Sequence, residues 1–189
     1  MAETYRADAL GFILYKKSRR YIRPAEAKLI TKELSPFTIK VGVFVDESPD
    51  TINEISKEAG INVLQLHGNE EPDIASKLLL PAIKAFRVND DFKFKQLDKY
   101  NNYSILLDAH SDSNYGGTGQ KFNWEMIPKD IRSKIILAGG VSTENLDIIY
   151  KEIKPAGIDL SSSLDNEPGK KDKKKMEDFF NKVNQLRRQ

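Results

Sequence analysis

Cysteine is absent from the 189 residues, which excludes disulfides, a thiolate metal site and a cysteine nucleophile. Histidine occurs only twice; no His/Asp/Glu cluster has metal-ligand spacing, and no Ser-His-Asp arrangement is legible. Neither sign of charge dominates. Lys and Arg number 30 against 28 Asp and Glu, for a net charge of +2, so global electrostatics imply no nucleic-acid and no membrane partner. No apolar run is long enough to cross a bilayer and nothing resembles a signal peptide. The expectation is a soluble cytoplasmic protein.

What is present is alternation. Short unbroken apolar runs at 9–14, 39–45, 62–66, 82–87, 104–107, 134–138 and 157–160 read as strands covered on both faces. Helical patterns lie between them at 24–34, 50–59, 70–79, 91–97, 124–131 and 143–152, with a last one at 171–186. In that last helix Met176, Phe179, Phe180, Val183 and Leu186 share one stripe, as core packing requires. No linker or low-complexity break appears, so residues 1–189 are expected to form a single domain. Repeated βα units predict an α/β fold with a parallel sheet, of the (β/α)8 TIM barrel class. Only seven strands are visible where a closed barrel has eight. The length also falls just short of the roughly 200 residues usual for that fold. Residues 1–6 look like the end of a helix, and the expectation is that the first strand and most of the first helix are missing from this polypeptide.

The stretch from Lys134 to Asp172 organises the rest. Two strands one βα unit apart run into small residues: Gly139-Gly140 after the first, Ser161-Ser162-Ser163 after the second. Glycine permits close backbone approach and free N–H groups at helix starts favour an anion, so the pair predicts a phosphate site. Either motif alone reads as a tight turn or a cap; the two together, at this spacing and followed by PGKKD, favour phosphate. Further candidates sit at the carboxyl ends of other strands. Asp108 follows SILL and precedes the glycine-rich residues 115–119, where a carboxyl beneath a lid would be a general acid or base; the alternative is a turn cap. Arg20, in YKKSRRYI, has the planar fork that binds a carboxylate, or lies in a solvated basic loop. His67 is a proton shuttle or a structural histidine. Asp159 ends the seventh strand. Lys170 to Lys175 reads as a solvated helix face, because no aromatic residues interleave with it.

The motifs ADALGFILYKKSRRYI, VLQLHGNE, KAFRV, ILLDAHSDSNYGGTGQKFNW, ILAGGVSTENL and GIDLSSSLDNEPGKKD resemble, in order, those of the phosphoribosylanthranilate isomerase family. The resemblance implies a (β/α)8 barrel of tryptophan biosynthesis that catalyses an Amadori rearrangement of a phosphorylated ribosyl-anthranilate substrate without metal or organic cofactor. It implies Asp108 as the acid that protonates the furanose oxygen and Arg20 as the holder of the anthranilate carboxylate. Gly139, Gly140, Ser161 and Ser162 would bind phosphate through backbone N–H groups, Asp159 would approach the ribose, and His67 belongs to the HG motif.

Three departures stand out. The family's general base is a cysteine in a KICGIT-like first strand, which has no counterpart here. Ser163 replaces a frequent glycine, which would strain the loop if a positive φ is required. Asn123, in FNW, replaces an aspartate that caps the following helix. Loss of the base predicts weak turnover by the chain alone, and loss of a strand exposes two sheet edges that invite a homodimer or strand exchange. Other readings are a different phosphate-binding barrel, such as a sugar-phosphate epimerase, or a non-catalytic phosphate-binding fragment that needs a complementing N-terminal segment.

Overall fold

All seven apolar runs form strands. In the computed structural model, which describes residues 1–108, 124–167 and 169–188, these are β1 (Ala9–Ile13), β2 (Ile39–Phe44), β3 (Val63–Leu66), β4 (Ala82–Arg87), β5 (Ser104–Asp108), β6 (Ile135–Ala138) and β7 (Gly157–Ile158). They follow one another in sheet order β1 to β7, and every ladder described between them is parallel. The chain divides into two compact units, Met1–Ala85 and Phe86–Gln189.

In the first unit the helices form where start and stop signals agree. Helix α1 (Pro24–Glu33) begins with proline at its first turn, where the missing N–H costs nothing. Helix α2 (Pro49–Ala59) is capped by Ser48, whose hydroxyl accepts the Thr51 N–H, and ends at Gly60 with φ +72°, a left-handed stop that suits glycine. The Thr31 hydroxyl donates to the Ala59 carbonyl at 2.8 Å and ties α1 to the end of α2. Phe44, Ile52, Leu64 and Leu66 are fully buried, each contributing about 1.5–3 kcal/mol. Residues 1–6 carry one 3-10 turn, Glu3–Tyr5, closed by Arg6 at φ 65°, rather than an α-helical end. The Glu3 carboxylate accepts from the Thr38 hydroxyl at 2.6 Å and the Ser35 N–H at 2.8 Å. Those two hydrogen bonds hold its pKa below the usual glutamate value, the Thr38 bond most.

The helix expected over 70–79 is a 3-10 segment, Pro72–Lys77. Asn53 on α2 takes the Lys77 carbonyl and the Leu79 N–H, so neither is free to continue a helical ladder, and Pro81 follows.

In the second unit α5 (Lys173–Leu186) is capped by Asp172, which accepts the Lys175 N–H. Met176, Phe179 and Leu186 are buried, while Phe180 and Val183 are half-buried. The helix starts later than expected because Lys170–Lys171 (β9) pairs with Asp165–Glu167 (β8) in a small antiparallel hairpin. Three other helical expectations are corrected. Residues 91–97 give way to a 3-10 segment at Phe94–Tyr100, held by edge-on ring contacts among Phe86, Phe92, Phe94 and Tyr100. Pro128 divides 124–131 into a 3-10 turn (Trp124–Met126) and the short α3 (Lys129–Arg132), as the restriction on the residue before proline requires. The segment 143–152 passes through a 3-10 turn, α4 (Leu146–Ile148) and a π turn that closes on Lys154 at φ 51°, just before Pro155. No helix among the described residues is long and apolar enough to cross a membrane.

Candidate active site

The carboxyl ends of β5, β6 and β7 lie level in the second unit. Asp108 is registered opposite Ala138. The Asp159 N–H donates to the Leu137 carbonyl at 2.9 Å, and one more step of the β6–β7 register sets Asp159 opposite Ala138. Registered residues of a parallel sheet share a face, so the two carboxylates flank the small Ala138 side chain on one side of the sheet. Asp108 is half-buried behind Leu106 and Leu107, and its carbonyl accepts the Val88 N–H at 2.9 Å. Asp159 is exposed.

Directly beyond Ala138 the chain turns through Gly139 (φ 73°) and Gly140 (φ 69°). Two consecutive left-handed residues are accessible at low cost only to glycine, and at Gly140 a Cβ would meet nothing within 4 Å, so conformation, not crowding, selects it. Asn145, only 6 % exposed, closes this turn. Its Nδ2 donates to the Gly140 carbonyl at 2.7 Å and its Oδ1 accepts the Ser142 N–H at 2.9 Å. Ser142 returns the capping interaction.

After β7 the chain reaches Ser161 and a single 3-10 turn, Ser162–Leu164. Ser161 and Ser162 are exposed. Ser163 lies inside that turn, and the non-glycine residues with positive φ are Arg6, Asp46 and Lys154 among those described, so the expected strain at Ser163 does not arise. Lys171, on β9, donates from Nζ to the Ser161 carbonyl at 2.7 Å and to Asp165 Oδ1 at 2.6 Å. Asp165, nine-tenths buried, also offers its carbonyl to Lys175 Nζ at 2.7 Å. Asp108, Asp159, Gly139, Gly140, Ser161 and Ser162 thus belong to neighbouring strand ends of one unit.

Arg20 and His67 belong to the first unit. Arg20 is half-buried in the loop between β1 and α1, where its N–H donates to the Ser18 hydroxyl at 3.1 Å; Lys16, Lys17 and Arg19 around it are exposed. His67 directly follows β3. Its N–H donates to the Phe44 carbonyl at 2.8 Å, and its Nδ1 lies 3.1 Å from Gln65 Nε2. With that amide as the donor, Nδ1 accepts and the ring proton sits on Nε2.

Two residues beside His67 escaped the sequence reading. Lys84 and Glu70 form an ion pair at 2.9 Å with side chains 3 % and 2 % exposed. Glu70 also accepts the N–H groups of Asp46 and Gly68, and Lys84 donates to the Gly68 carbonyl at 2.7 Å. The Asp46 carboxylate accepts the Asn69 N–H at 2.6 Å, and a Cβ at Gly68 would overlap that carboxylate. A lysine inside the apolar run AIKAFR was the available signal, because a buried ammonium demands a partner. Asn145 gave a weaker signal, its place three residues after Ser142.

The glycine-rich residues 115–119 and Asn123 lie outside the described residues. Among the described residues no group of three or more His, Cys, Asp or Glu could hold a metal ion.

The model of the N-(5'-phosphoribosyl)anthranilate (PRA) isomerase family matches residues 1–182. The chain belongs to that family. The N-(5'-phosphoribosyl)anthranilate isomerase of Trichlorobacter lovleyi is 40% identical over 176 residues, which cover 92% of this chain and 86% of the relative. The crystal structure of the Thermotoga maritima phosphoribosyl anthranilate isomerase superposes with a TM-score of 0.88 at 34% identity, covering 97% of this chain and 91% of that one. A phosphoribosyl anthranilate isomerase in complex with reduced 1-(o-carboxyphenylamino)-1-deoxyribulose 5-phosphate is 32% identical with a TM-score of 0.85, over 97% of this chain and 91% of that one. As a PRA isomerase family member the chain has the α/β fold of the TIM-barrel isomerases, with seven parallel strands, and is an isomerase of tryptophan biosynthesis.

Proposed function

We propose that the chain handles N-(5-phosphoribosyl)anthranilate in the cytoplasm as a single (β/α) barrel domain, with Asp108 as general acid. The supporting observation is the level row at the ends of β5, β6 and β7, where Asp108 and Asp159 share a face next to the Gly139-Gly140 and Ser161-Ser162 turns. Phosphate held at those turns sets the ribose over this row. Asp108 then protonates the furanose oxygen, the C1–O bond opens to an iminium, and removal of the C2 proton yields the enol that becomes the ketose. Asp159 contacts the sugar hydroxyls. Arg20 takes the anthranilate carboxylate with its guanidinium fork, and His67 is a further substrate contact.

The C2 step needs a base. The family's base is a cysteine, and this sequence contains none, so turnover by the chain alone is slow while binding persists. The chain also forms a homodimer or a strand-exchanged oligomer in this reading. Exposed Phe37 and Leu79, at 92% and 81%, supply apolar surface for association.

Replacing Asp108→Asn tests the acid. Turnover should fall about 10²–10⁴-fold, while the reduced product analogue, titrated calorimetrically, should bind within a few-fold of the unmodified chain. Unchanged turnover would remove Asp108 from the mechanism.

A further inference from the structure

We infer that Asn145 and Lys171 are positioning residues for the phosphate, each fixing one peptide plane of the cradle from behind. This rests on the proposed phosphate site and deepens it.

The two turns share a device. The Gly140 carbonyl is bound by Asn145 Nδ2 at 2.7 Å, and the Ser161 carbonyl by Lys171 Nζ at 2.7 Å. In a trans peptide the C=O and the following N–H point in opposite directions, and no peptide among the described residues is cis. Pinning the Gly140 carbonyl therefore turns the Val141 N–H away from Asn145. Pinning the Ser161 carbonyl turns the Ser162 N–H away from Lys171. Both turns need the restraint. Gly140 has the freedom of a glycine at φ 69°, and Ser161, at φ −134° and ψ −77°, lies outside the regular wells.

Each restraint is itself held. Asn145 is buried and has its Oδ1 occupied by the Ser142 N–H. Lys171 is fixed by Asp165, whose side chain is 6 % exposed. An anion site built from backbone amides gains from preorganisation, because amides already aimed at the anion lose no entropy on binding. Lys171 also adds one positive charge behind the Ser161 peptide. Its partner Asp165 offsets that charge, so its main effect is on geometry.

The test compares binding of inorganic phosphate and of anthranilate, which carries no phosphate, by the full chain. Amide shifts of Gly140, Val141, Ser161 and Ser162 locate the phosphate. Asn145→Asp keeps the acceptor for Ser142 but loses the donor to Gly140 and adds a negative charge, so the uncharged Asn145→Leu must show the phosphate loss as well. Lys171→Met is made in an Asp165→Asn background, so that no buried carboxylate is left unpaired, with Asp165→Asn alone as the control. Asn145→Asp and the Lys171→Met pair should each weaken phosphate about tenfold, the effect of one good hydrogen bond, and leave anthranilate unchanged. Asp165→Asn alone, which keeps an oxygen acceptor for Lys171, is the background against which the loss in the Lys171→Met pair is read.

Phosphate affinity equal to the parent in both variants overturns the inference. An equal loss of phosphate and anthranilate affinity also overturns it, since that is general damage. If the parent itself shows no phosphate-dependent shift at the four amides, the site reading fails first and takes the inference with it.

Discussion

Lys84 is a single residue on which the turn carrying His67 depends. Its ammonium is 2.9 Å from Glu70 and both side chains are almost wholly buried. A buried pair of this kind adds little net stability over an apolar pair, but breaking it leaves a charge without compensation. Glu70→Ala and Lys84→Met should therefore each cost about 3–5 kcal/mol in urea unfolding, since each leaves the other charge buried with backbone partners only, N–H groups for Glu70 and carbonyls for Lys84. Equal small losses in both would mean that water replaces the missing partner. The sequence displayed Lys84 as a charge in an apolar strand, yet nothing local named Glu70. The partner lies 14 residues away, in the turn after β3, and only folding joins them. Asp108 was legible for the opposite reason: a carboxylate at the end of SILL needs only the strand register to be placed.

Among the elements, the strands were legible nearly to the residue and the short helices were not. A buried parallel strand is marked by its own apolar run, whereas a helix of two turns is decided by what competes for its backbone. Asn53 takes the 70–79 segment out of helical register, and Pro128 and Pro155 cut two others. Side-chain ties hold such elements in place. Lys182 on α5 meets Asp147 on α4 at 2.6 Å, and this bond holds the Asp147 pKa below the usual aspartate value. Glu3 is depressed likewise by Thr38 and Ser35. A carboxylate depressed in the folded state stabilises it above the unfolded pKa, and that contribution disappears as pH falls through the folded pKa. Melting temperature should accordingly drop as pH is lowered from neutral through the carboxylate range to about pH 3. Glu3→Gln with Asp147→Asn should start lower and show a shallower acid limb. An unchanged slope in that variant would assign acid sensitivity to other carboxylates.

For the whole molecule, the proposed reading separates binding from chemistry. The turns proposed to hold the anion and the proposed acid Asp108 are all in the sequence, which contains no cysteine to serve as the family's base. General bases contribute about 10²–10⁴-fold. Extending the chain upstream by a strand of the KICGIT type should therefore raise turnover at least about 10²-fold, with little change in affinity for the product analogue. Equal rates in the two proteins would locate the base among residues already present. Much of the candidate site was readable because it lies at strand ends, where neighbouring positions follow from register. The residues that brace it were not, since Asn145 and Lys171 act through carbonyls that no sequence pattern displays.

Gly140 and Gly68, one in each compact unit, constrain sequence drift in different ways. Position 140 has empty space around it, but its left-handed backbone directly follows another at Gly139, so a side chain there is strained whatever the room. Position 68 faces the carboxylate of Asp46 and its N–H, so any side chain there must first displace the knot of charges beneath it. Backbone conformation therefore fixes the residue at 140 and crowding the one at 68, so the first yields only when its turn is rebuilt and the second only when Asp46 gives way.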